Sequence, residues 1–180
     1  NSIISSSCNQ KQRAVLVAGT HLDFQDGDQR RKEMSCLLKT LLPQPESSRE
    51  EEEEQQQQPM IILGDFNQQR QQDYTEEEWN KITAGMDHRR SCRNDGVASL
   101  LHNAQFKCAW NYKHVQTNWC STISSNEDKE HTVPPPPSTH WSGTIVDYSY
   151  GNQQVQAQGV YISPVGFSDH RMTVCDWKIL

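Results

Sequence analysis

The chain has 180 residues, a 33% apolar content and a formal net charge of −6. That length holds one domain with a real core and excludes two comfortable ones. The charge is local: Glu46 and Glu50 to Glu54 stand against only Arg49, so the remainder is close to neutral and neither supports nor excludes a polyanionic partner.

Residues 13–20, Arg-Ala-Val-Leu-Val-Ala-Gly-Thr, form a short apolar, β-branched run that reads as a buried strand ending at His21-Leu22-Asp23. Residues 29–42 read as a helix. Met34, Leu37, Leu38 and Leu41 share one apolar face, with Arg30, Arg31, Lys32 and Lys39 on the solvated one and Pro43 as the stop. From 43 to 59 the sequence is nearly all Pro, Ser, Glu and Gln, too polar to offset its ordering entropy. A second buried strand follows at Met60 to Gly64. Strand, helix, strand in this order implies a parallel or mixed sheet.

Residues 75–84 read as a short helix, with Thr75 as N-cap and Glu78 completing a capping box. Asp95 is the expected cap of another, running to about Gln105 with Val97, Leu100 and Leu101 inward. Phe106 to Trp110 descends into a loop or edge strand. A second low-complexity stretch, 121–138, carries the run Pro134 to Pro137. Thr144 to Tyr150 and Val160 to Ser163 read as strands around a turn at Gly151-Asn152, and Met172 to Trp177 as the last strand. The short later strands make a mixed sheet the expectation.

Six cysteines without a CxxC pair argue against a zinc site and against a disulfide framework, and point to reduced thiols. The sequence has no Asn-x-Ser/Thr sequon, which leans toward an intracellular setting. It shows no signal peptide and no apolar run near the ~18 residues that span a bilayer.

Four motifs fall at expected strand ends, where a sheet presents side chains to a common cleft. They are Gly19-Thr20-His21-Leu22, Gly64-Asp65-Phe66-Asn67, Thr144-Ile145-Val146-Asp147-Tyr148 and Ser168-Asp169-His170. Each alone is common: an Asp-x-Asn after Gly is an ordinary turn. Their order, however, resembles that of the endonuclease/exonuclease/phosphatase superfamily, from about Val15 to Trp177, with Gly-Asp-Phe-Asn as the most specific mark. Deoxyribonucleases, abasic-site endonucleases, neutral sphingomyelinases and inositol polyphosphate phosphatases belong to that group.

The resemblance implies an α/β fold, a four-layer α/β/β/α sandwich with mixed sheets, of which residues 1–180 are the C-terminal part. Its core would comprise 13–42, 60–120 and 139–180, with inserts at 43–59 and 121–138. It also implies hydrolysis of phosphodiesters or phosphomonoesters by activated water with a divalent cation, Mg²⁺ or Mn²⁺. Asp65 would orient the water and lie near the metal, and Asn67 would donate its amide to a phosphate oxygen. His170 would serve as general base or as a charge-stabilising imidazolium, and Asp147 would pair with it. Asp169 would be a metal-side ligand, and His21 would contact the phosphate or protonate the leaving group.

The substrate is left open among nucleic acid, phospholipid headgroup and inositol phosphate, and the intact protein is expected to be monomeric. The family's earlier half, with an Asn-bearing strand and a glutamate that is the principal metal ligand, has no counterpart before His21. The chain also does not begin with Met. Both features lead to the expectation of a piece of a longer, active product, inactive by itself. The alternative is a non-catalytic binding module that uses the Glu/Gln insert as an interaction tail.

Several residues stay ambiguous at this level. His140-Trp141 is either a substrate contact or a packed aromatic pair, and Asp23, Asp26 and Asp28 read as a solvated turn rather than a cation site. Trp79, Trp110 and Trp119 read as core or loop anchors, and His88-Arg89-Arg90 as a small basic patch.

Overall fold

The computed structural model describes residues 14–42, 58–84, 96–111, 116–117, 138–163 and 168–180. Strand β1 is Leu16–His21, helix α1 Gly27–Leu41, strand β2 Met60–Asp65, helix α2 Glu76–Ala84 and helix α3 Val97–Asn103. Strands β3 Lys107–Cys108, β4 Gln116–Thr117, β5 Asp147–Gly151, β6 Val155–Ile162 and β7 Thr173–Ile179 follow. They form two mixed sheets, one ordered β1-β2-β5-β3 and the other β4-β6-β7.

The first sheet places the chemistry. β1 runs parallel to β2, and the register sets His21 beside Asp65. β5 runs antiparallel to β2, setting Asp65 beside Asp147. Three neighbouring strands therefore carry His21, Asp65 and Asp147 in one row across one end of the sheet.

Alternation along the strands divides this sheet into two faces. On one face Ile62, Tyr148 and Tyr150 join Met34 and Leu38 of α1, Val97 and Leu101 of α3, and Phe66 in a single buried cluster. Phe66 meets Tyr148 edge-on at 5.9 Å between ring centroids. Fully burying such a side chain contributes ~1.5–3 kcal/mol, so this cluster dominates the stability of the layer. On the other face lies the second sheet. Trp177 of β7 donates its indole N–H to Ser149 Oγ at 3.2 Å. A cleft of about 300 Å³ opens between the sheets, lined by Val17, Leu63, Asp147, Arg171 and Cys175 among others. β7 covers β5, but the β1–β2 part of this face is bare: Val17 is 56% and Leu63 42% exposed.

Most expected elements are present, with shifted ends. Helix α1 begins two residues early because Asp26 caps it, accepting the N–H groups of Asp28 and Gln29. Arg30, expected on the solvated face, is fully buried and donates to the Asp23 carbonyl at 2.9 Å. The Thr75–Glu78 capping box forms as read, with Glu78 N–H donating to Thr75 Oγ1 and Thr75 N–H to Glu78 Oε2. Gly96 precedes α3 as its N-cap; the expected cap Asp95 lies outside the described residues. Thr144 to Val146 are not strand, because their N–H groups at Ile145 and Val146 go to the side chains of Tyr74 and Thr139 instead of a ladder. β6 starts at Val155, five residues before the expected position, after a turn closed by Val155 N–H on the Asn152 carbonyl. β7 spans Thr173–Ile179, one residue later at its start and two at its end than read. The described cysteines Cys36, Cys108 and Cys175 are free thiols.

Candidate active site

The Gly64-Asp65-Phe66-Asn67 turn explains its own residue types. Gly64 sits at φ +140°, and a Cβ there would lie 1.9 Å from the Thr20 carbonyl oxygen, so only glycine lets β1 approach so closely. Asp65 follows at the end of β2 and accepts the Asn67 N–H on Oδ1 at 2.7 Å. Phe66 is fully buried, and its N–H donates to the Val146 carbonyl. Asn67 takes φ +47°, a conformation that asparagine tolerates better than most residues, and its side-chain amide donates to the Leu22 carbonyl at 2.8 Å. One N–H of the amide expected to meet phosphate is thus spent on holding the β1 exit against the turn.

With Oδ1 committed, Asp65 Oδ2 faces two imidazoles. His21 Nε2 lies at 3.6 Å and His170 Nε2 at 3.7 Å. The His21 side chain is 75% exposed and that of Asp65 only 12%, so the carboxylate forms the floor and His21 the rim. Burial first, then the nearby Asp147 charge, raises the Asp65 pKa above the usual carboxylate value, partly offset by the Asn67 N–H and the two histidines.

His170 is held from both ends. In the Ser168-Asp169-His170 turn, Ser168 Oγ accepts the His170 N–H and its hydroxyl donates to the His170 carbonyl, both at 3.0 Å. At the ring, Nδ1 meets Asp147 Oδ2 at 3.0 Å and Oδ1 at 3.2 Å. That carboxylate holds the Nδ1 proton and turns Nε2 toward Asp65. Burial opposes a charged ring, but the Asp147 bond and the charges of Asp147, Asp65 and Asp169 outweigh it and raise the His170 pKa.

The structure thus brings His21, Asp65, Asp147 and His170 together, with Asn67 as a brace. Asp169 points elsewhere. Among the described residues two groups could hold a cation, Asp65–Asp147–His170 and His140–Asp169–His170, in each of which the ligand atoms lie within 4.8 Å of one another. Asp65 and Asp169, the expected metal pair, fall in different groups joined through His170. Asp65 and Asp147 offer carboxylate oxygens to a hard cation, which fills its remaining positions with water and phosphate oxygens. The two imidazoles of the other group suit a transition metal.

One contributor, Thr139, escapes a reading of the sequence, and another, His140, is left ambiguous by it. Thr139 is fully buried and its Oγ1 accepts the N–H groups of both Val146 and Asp147, at 3.1 and 3.2 Å, which fixes the start of β5. A lone threonine after a proline run gives no signal of this. His140 forms an antiparallel bridge with His170, and their rings meet at 4.9 Å. The acidic loop is a turn, as expected: Asp23 Oδ1 accepts the N–H groups of Gln25 and Asp26. Trp79 packs on Tyr74 and Trp110 on Tyr148, while Trp119 and His88-Arg89-Arg90 lie outside the described residues.

No protein-family model and no curated protein matches the sequence. Solved structures do match in shape. A conserved protein of unknown function from Enterococcus faecalis V583 aligns at TM-score 0.55 and 17% identity, over 95% of this chain and 53% of that one. An endonuclease/exonuclease/phosphatase from Bacteroides vulgatus aligns at TM-score 0.51 and 14% identity, over 89% of this chain and 48% of that one. The chain therefore spans about half the length of the structures it matches. Over that half it shares the α/β fold of the endonuclease/exonuclease/phosphatase structure.

Proposed function

We propose that this chain forms one wall of a divalent-metal-dependent phosphoesterase, cleaving phosphodiester or phosphomonoester bonds by attack of water. The observation that carries the reading is Asp65, a partly buried carboxylate with one oxygen between two imidazoles, one of them backed by Asp147. A fold alone does not require that polar row at its strand ends.

Phosphoryl transfer asks for a carboxylate to orient water and for positive charge where the non-bridging oxygens gain negative charge. Asp65 Oδ2 answers the first. His170, with its raised pKa, answers the second as an imidazolium steered by Asp147. His21 at the rim is placed to reach the phosphate or the leaving oxygen.

Asp65, with Asp147 beside it, would be this chain's carboxylate toward Mg²⁺ or Mn²⁺, which when bound would polarise a phosphoryl oxygen. The exposed Val17–Leu63 face and the half-length match support a fold completed by residues beyond these 180, which would then supply any further metal ligand. Activity then belongs to the completed protein.

The test is hydrolysis of bis(4-nitrophenyl) phosphate and 4-nitrophenyl phosphate with Mg²⁺ or Mn²⁺ and with excess chelator. The completed protein should turn over in metal and stop in chelator, while the 180 residues alone should show no metal-dependent turnover. Chelator-resistant hydrolysis, or none in any form, would overturn the metal-dependent reading. Metal-dependent turnover by the 180 residues would overturn the need for a second half.

A further inference from the structure

Resting on the phosphoesterase reading, we infer that Trp141 is a stacking platform for a nucleobase on the substrate, so that this site selects nucleotide-bearing phosphate esters. Trp141 is 78% exposed, more than any other large apolar side chain among the described residues. Such exposure of a tryptophan calls for an explanation, and fraying does not supply one.

The strap that carries it is bonded at every step. Trp141 N–H donates to the Asp169 carbonyl at 2.8 Å, Arg171 N–H to the Thr139 carbonyl at 2.7 Å, and Gly143 N–H to the His140 carbonyl at 3.0 Å. The backbone is thus pinned directly to the Ser168-Asp169-His170 turn while the indole projects into solvent. The neighbouring ring is fixed as well. The Ser142 N–H points at His140 Nδ1 at 3.3 Å, and Ser142 Oγ lies 2.7 Å from the same atom.

Three rings result in a row that leads out of the site. His170 meets His140 at 4.9 Å between centroids, and His140 meets Trp141 at 5.7 Å. A phosphate held at His170 would place the group attached to it along this row. A flat, polarisable ring is the group an exposed indole rewards, and stacking of this kind is how aromatic side chains hold unpaired bases. An alkyl substituent offers no such face, and a polyhydroxylated ring presents C–H groups rather than a π face, a difference that base-bearing and abasic probes separate. This resolves the ambiguity of His140-Trp141 in the sequence: the tryptophan is not packed.

The binding experiment uses the completed protein, titrated calorimetrically with a thymidylate trimer and with an abasic trimer of the same charge. The parent should bind the base-bearing trimer about tenfold more tightly, the usual order for one base–aromatic stack. Trp141→Ala should erase that preference and Trp141→Phe restore most of it. Equal affinity of the parent for both trimers would overturn the inference, as would a preference that survives in Trp141→Ala. A response only to phosphatidylserine vesicles would overturn it in favour of a membrane contact.

In the completed protein, the ratio of kcat/KM for thymidine 5′-(4-nitrophenyl phosphate) over ethyl 4-nitrophenyl phosphate should fall about tenfold in Trp141→Ala, through KM. An unchanged ratio would refute the platform while leaving phosphoester hydrolysis intact. A base preference in binding without hydrolysis would do the reverse.

Discussion

Two carboxylate networks lie on opposite faces of strand β5, one residue apart. Tyr148 faces the helices and donates to Asp73 Oδ2 at 2.9 Å, while Arg70 grips both oxygens of the same carboxylate from Nε and Nη2 and lies 4.8 Å over the Tyr148 ring. Asp147 faces the other sheet and binds His170. The first network is closed: guanidinium, carboxylate and phenol bond one another out of reach of water. Burial, then the Asp73 charge, pushes the Tyr148 phenol well above its usual range, so it stays a donor. The second is open, for Asp65 Oδ2 has imidazoles near it at 3.6 and 3.7 Å but no hydrogen bond among the described residues. A closed polar network locks a core, and an open one leaves room for a reactant.

The largest expected effect tests the closed side. Asp73→Ala strands the buried Arg70 charge and should cost ~3–5 kcal/mol, lowering Tm on the order of 10 °C, as read by thermal denaturation. A loss below about 1 kcal/mol would show that the core does not depend on this pair.

On the open side, Asp65→Asn and His170→Ala should each lower kcat of the completed protein at least ~10²-fold, with the folded state intact by circular dichroism. Near-parental turnover in either variant would remove that residue from the chemistry.

A smaller effect calibrates both. Thr75→Ala removes the cap of α2, a side chain that bonds Glu78 and neither network, and should cost ~1 kcal/mol in urea denaturation without changing activity.

The smallest effect is also the sharpest, because its sign is opposite to the first. Asp65 has a pKa raised above 3.8 by burial and by Asp147. A carboxyl of this kind binds its proton more tightly folded than unfolded, so stability falls as pH climbs from 3.8 through the raised value. Asp65→Asn removes that loss. Its Tm at pH 7 should lie slightly above the parent's, and the gap should close below about pH 4. A mutant Tm lower at pH 7 would mean that Asp65 is held by structural partners, as Asp73 is.

Much of this site was legible in the sequence because its parts are local. Gly64, Asp65 and Asn67 sit within one turn that Asp65 Oδ1 closes on the Asn67 N–H, and Ser168 ties His170 two residues away. The capping box of α2 is equally local. What escaped was long-range or ambiguous in charge. Arg30 looked like a solvent residue on a helical wheel, yet the Asp23 carbonyl draws it inward. Asp73 and Arg70 form an i, i+3 pair in a short 3₁₀ turn, a spacing that is usually superficial, and only Tyr148 overhead makes it a core element.

By itself the sequence determined which residue types stand at the strand ends, since alternation and turn chemistry are written in near neighbours. Tertiary structure decided how they meet. The β1–β2–β5 register aligns His21, Asp65 and Asp147, side chains drawn from three distant segments. It also decided that Asn67 braces a loop, that Asp169 and Asp65 part company around His170, and that Trp141 stands out in water. Each of these depends on which backbone groups find partners across the fold, and spacing along the chain does not encode that pairing.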